Sequence, residues 1–75
     1  MNRETIQAIP AIAKYVRGYG YVEIGDRESF GFVVRALEYG GLDFEGDTPK
    51  TLAEAMPVLE AALSEWFEKQ GVELD

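Results

Sequence analysis

Apolar positions along the chain fall into two helical stretches separated by three short runs of strand character. In residues 2–17, Ile6, Ile9, Ala13 and Val16 recur at spacings of three and four, which predicts a helix with one apolar face. Asn2 is a candidate N-cap and Gly18 a stop. Pro10 interrupts the pattern. It either kinks the helix, by removing the bond to the Ile6 carbonyl, or stands in the first turn of a shorter helix ending near Arg17.

Residues 20–24 then alternate, with Val22 and Ile24 opposite Tyr21 and Glu23. Residues 30–37, F-G-F-V-V-R-A-L, are rich in aromatic and β-branched side chains and predict the central strand. Residues 42–45 alternate again as a third. Gly25–Ser29 reads as a five-residue hairpin loop and Tyr39-Gly40-Gly41 as a three-residue one, with Gly41 free to take positive φ. Those loops pair Ile24 with Phe30, Val22 with Phe32, and Ala36 with Phe44. Val22, Ile24, Phe30, Phe32, Val34, Ala36, Leu42 and Phe44 then share one face. A two-residue second loop would put Phe44 beside Leu37 instead, and a one-residue slip reverses every side chain.

Residues 51–70 form the longest periodic segment. Thr51-Leu52-Ala53-Glu54 has capping-box spacing, and Leu52, Ala55, Met56, Leu59, Ala62, Leu63, Trp66 and Phe67 repeat at three and four. Lys69 suits the last turn and Gly71 the C′ position. Pro57 lies inside, and either bends this helix or detaches its first turn.

The expected fold is a single α+β domain, α-β-β-β-α, with a three-stranded antiparallel meander and both helices on one face. The other face is left open. It is expected to carry Tyr21, Glu23, Val33, Arg35, Leu37, Asp43 and Glu45, and these form the candidate interaction surface.

Composition narrows the chemistry. The chain has 75 residues, no cysteine and no histidine, which removes disulfides, thiolate chemistry, the commonest general base and the commonest metal ligand. No apolar run approaches a membrane span and no signal peptide opens the sequence, so cytoplasm is the expected compartment and no membrane partner is expected. Net charge is −7. Residues 1–40 balance, whereas residues 41–75 carry nine acids against Lys50 and Lys69. That half would repel phosphates, so no nucleic-acid partner is expected. It is either a solvated acidic helix or a docking surface for a basic protein.

Two resemblances follow from the order and its junctions. Helix–strand–strand–strand–helix resembles the double-stranded-RNA-binding domain. That family docks RNA through a basic start to its second helix. Here that start reads Thr51-Leu52-Ala53-Glu54 after Lys50, so no RNA-contacting residue is carried over. Gly46-Asp47-Thr48 followed by Thr51-Leu52-x-Glu54-Ala55 is similar to the strand-end and helix-start pattern of the HicB-like antitoxin fold, over roughly residues 20–68. That family's proline-glycine-cysteine hairpin is replaced by Tyr39-Gly40-Gly41. The resemblance implies neutralisation of a basic partner protein.

Asp43, Glu45, Asp47 and Glu54 occupy positions 1, 3, 5 and 12 of a calcium loop, but Thr48 stands where that loop requires glycine. The remaining carboxylates sit on alternating strand positions or a helix exterior, and the glycine pairs precede no helix start. No enzymatic activity, catalytic residue, metal or cofactor is therefore expected. Small-ligand or calcium binding stands as an alternative. The leading expectation is a small acidic protein–protein interaction module that associates with itself or with a basic partner.

Overall fold

Pro10 stands at the first position of the helix Pro10–Gly18. The computed structural model describes residues 8–74, so the expected cap Asn2 and Ile6 lie outside the described residues. Helix α1 spans Pro10–Gly18, with Pro10 at its first position, where a missing N–H costs nothing. Ile9 at the N-cap offers no side-chain bond. The next two amides, of Ala11 and Ile12, donate instead to the two carboxylate oxygens of Glu60, at 2.8 and 2.9 Å. A side chain 48 residues away thus does the capping. This clamp and the reach of Tyr15 to the sheet set the rotation of α1. Its buried residues are Ala11, Ile12, Ala13 and Tyr15. The expected face through Val16 is corrected, since Val16 is exposed.

Strands β1 (Gly20–Asp26), β2 (Phe32–Glu38) and β3 (Gly41–Gly46) form an antiparallel sheet in that order. The first loop is moved from the expected one. Asp26 pairs with Phe32, Ile24 with Val34, and Val22 with Ala36. The turn uses residues 27–31 and includes a 3-10 turn, Glu28–Phe30. The Asp26 carboxylate accepts the Glu28 N–H at 2.7 Å, and the Arg27 N–H donates to the Gly31 carbonyl at 2.8 Å. Gly31 has φ 94°, and a Cβ there would stand 2.5 Å from the Pro49 carbonyl oxygen. Only glycine fits. Phe30 is therefore a turn residue, 69% exposed, and not core. The shift is even-numbered, so the other faces keep their expected sense.

The second hairpin combines both alternatives. Its loop has two residues, Tyr39 and Gly40, and pairs Glu38 with Gly41 and Leu37 with Leu42. A bulge at Asp43 then restores Ala36 opposite Phe44. Gly41 does not take positive φ. The extra residue corrects two placements. Leu42 shares the open face with Leu37 and is half exposed, and Asp43 turns to the helix side.

Helix α2 (Leu52–Gln70) runs unbroken through Pro57. That proline leaves the Ala53 carbonyl without its intrahelical donor, and both residues lie on the exposed side, open to solvent. The Thr51 hydroxyl accepts from the Glu54 N–H at 3.2 Å, while the Glu54 carboxylate reaches one residue further back, to the Lys50 N–H at 2.9 Å. Gly71, at φ 74°, ends the helix with the paired Gly71-to-Glu68 and Val72-to-Phe67 bonds of a Schellman motif.

Both helices cover the same face. Val34 and Ala36 of β2, Tyr15 of α1, and Ala55, Leu59, Leu63 and Phe67 of α2 are fully buried in one cluster. Leu52, expected in that stripe, is 57% exposed. Tyr15, Tyr19, Trp66 and Phe67 meet edge-on or stacked at 5.0–6.4 Å and join the C-terminal ends of the helices. The result is a small α+β domain in the order α-β-β-β-α. No described helix is long and apolar enough to cross a membrane.

Candidate functional site

The face of the sheet away from the helices is ordered in cross-strand rows. Tyr21, Leu37 and Leu42 pair directly across all three strands and make an apolar row near the β2–β3 turn. Tyr21 and Leu42 are 52% and 51% exposed, and Leu37 is half buried between them. Next comes a charged row, Glu23, Arg35 and Glu45. The Arg35 guanidinium donates through Nε to Glu45 and lies 3.6 Å from Glu23. The hydrogen bond and charge of Glu45 hold the Arg35 pKa above its ordinary value. Beyond that row Val33 pairs with Gly25, and Arg27 meets Asp47 at 3.4 Å.

Val33 has no side chain opposite it on β1, because its partner is glycine. A shallow, solvent-open hollow remains there, lined by Arg27, Val33, Arg35, Glu45 and Asp47. Tyr21 does not line it, and Tyr21 and the Arg35–Glu45 pair stand in two separate rows. Each of its charges already has an opposite partner at the surface, where a pair is worth up to about 1 kcal/mol.

Six of the seven expected surface residues, Tyr21, Glu23, Val33, Arg35, Leu37 and Glu45, lie together on this face. Asp43 does not. Its carboxylate accepts the Tyr15 hydroxyl at 2.8 Å under the helices. Burial first, and this carboxylate second, raise the Tyr15 pKa. The neighbouring Asp43 carboxylate first, and burial second, raise the Glu38 pKa. Leu42 takes the vacated place on the open face. The signal for the exchange lay in the parity of a two-residue hairpin loop, since Leu37 and Phe44 then fall on the same face unless one residue is extra.

The calcium-loop acids point apart. Asp43 serves Tyr15, Glu45 serves Arg35, Asp47 serves Arg27 and Glu54 serves a helix cap. Among the described residues no three acidic side chains gather where they could hold a metal ion. Most acids of the second half are similarly engaged, Glu60 by α1 and Glu65 by Lys69. Glu68 and Glu73 have no such partner among the described residues. No protein-family model, curated protein or solved structure matches the chain.

Proposed function

We propose that this chain is a small non-enzymatic protein–protein interaction module that associates with a second copy of itself through the part of its sheet that the helices leave uncovered, either the open face or an edge strand. One observation carries the reading. The sheet is three strands wide with both helices on one side, and the bare side bears the half-exposed apolar row Tyr21–Leu37–Leu42. Apolar side chains aligned across every strand of an uncovered sheet are a contact surface in search of a partner. The charges beside them are paired with one another and sum to only −1, which suits an identical partner better than a strongly basic one. The acidic second half favours a basic, antitoxin-type target less, because most of its carboxylates are spent within the fold.

Sedimentation equilibrium across the micromolar-to-millimolar range tests the proposal. The expected result is a mass rising from 8.4 kDa toward twice that value. A mass that stays monomeric at millimolar concentration overturns it.

A further inference from the structure

We infer that two copies join edge to edge through β1, antiparallel about Val22, so that their bare faces merge into one six-stranded surface. This rests on the self-association proposed above and specifies its geometry. The size of the bare face is the first reason. Three strands about 4.8 Å apart and some six residues long span roughly 300 Å², well short of the ~800 Å² per partner of a standard stable interface. Face-to-face contact alone would be weak. Strand pairing adds backbone hydrogen bonds and doubles the continuous face.

The two edges of the sheet differ in the features that discourage pairing. β3 carries the Asp43 bulge. β1 is paired with β2 over seven consecutive residues with no break, and it has no proline, lysine or bulge. Its outer rim also leaves Ile24 38% exposed although Ile24 belongs to the helix-covered face.

Charge then selects the register. A two-fold axis perpendicular to the sheet keeps like faces together, so residues directly opposite must share a face. Centred on Glu23, the pairing sets two carboxylates against each other. Centred on Ile24, it sets Val22 against Asp26 on the apolar side. Centred on Val22, it sets Val22 against Val22, Gly20 against the exposed Ile24, and the Tyr21 hydroxyl within reach of Glu23 of the second copy, twice by symmetry. That register has no like-charge opposition and covers Ile24.

Cysteine cross-linking reads the register, because the chain has no cysteine of its own. Directly opposite residues of antiparallel strands lie about 4.5–5.5 Å apart at Cα, inside the disulfide range. V22C should oxidise to a covalent dimer at least roughly ten-fold faster than E23C or I24C, whose symmetry mates stand about 8 and 14 Å apart in this register. Leu42→Lys, on the bare face but far from β1, should leave the dimer unchanged. Circular dichroism checks that each variant folds. A non-covalent dimer that Leu42→Lys dissociates, or in which E23C or I24C links fastest, overturns the edge geometry and leaves self-association standing. A wild-type chain that remains monomeric overturns both.

Discussion

On the helix-covered face, Glu60 and Asp43 each hold a donor that the fold would otherwise bury alone: the first amides of α1 and the Tyr15 hydroxyl. On the bare face, Glu23, Arg35 and Glu45 hold one another beside water. The residue types are the same and their consequences differ. A carboxylate under the helices completes a structural element, and its loss strands a buried donor. A carboxylate on the bare face can return to solvent at little cost. The first set belongs to folding, while the second is free to serve association.

That contrast can be broken at the covered face first. Glu60→Ala removes the only N-terminal cap α1 has among the described residues and leaves two amides unpaired. Thermal or urea unfolding should show a loss of about 2–3 kcal/mol, in the range of a lost cap plus charged hydrogen bonds. A loss under about 0.5 kcal/mol would place Glu60 with the ordinary surface acids. Tyr15→Phe keeps the buried ring and removes only the bond to Asp43, and should cost about 1–2 kcal/mol. Tyr15 titration should also tie stability to alkaline pH. Its pKa is raised in the folded chain, so the contribution is intact below the ordinary tyrosine pKa and fades as pH climbs toward the folded value. Tyr15→Phe should flatten that alkaline slope.

The smallest effect is at Glu38, whose pKa is raised beside the Asp43 carboxylate. A raised carboxyl pKa adds stability below the unfolded value that is lost as pH rises through the folded one. At neutral pH the pair therefore works against the fold. Glu38→Gln keeps a donor toward Asp43 without needing a proton, so Tm should rise slightly at pH 7, and the gain should shrink below the carboxyl range. An unchanged Tm at pH 7 would show that the two carboxyls do not interact.

Much of the fold was legible in the sequence because periodicity and end signals agree there. The spacing of Leu59, Leu63 and Phe67, the Thr51 cap and the Gly71 stop place α2 to within a residue of its observed ends. Six of the seven bare-face residues follow from strand alternation alone. The misplacements share one cause, which is local choice among turns of similar sequence. Phe30 is as good a strand residue as Phe32, and the bonds of Asp26 and Arg27 within the turn, with Gly31 at positive φ, move it out of the strand. Leu42 and Asp43 exchange faces because one bulge satisfies both the tight Tyr39-Gly40 loop and the Ala36–Phe44 pairing. The face of α1 was legible in part, through Ile9 and Ala13. Its rotation depends on Glu60 and Asp43, which lie far off in sequence.

Tyr21→Glu tests the division between the faces most directly, since Tyr21 stands on the bare face and on β1 at once, and the change sets a second carboxylate against Glu23 of the other copy. Its stability and mass are measured together, by urea unfolding and sedimentation equilibrium at matched concentrations. The predicted result is an unfolding free energy of the monomer within about 0.5 kcal/mol of wild type, as for ordinary surface substitutions, and a dimer weakened at least ten-fold. A monomer destabilised by several kcal/mol, or a dimer that survives intact, would contradict the account.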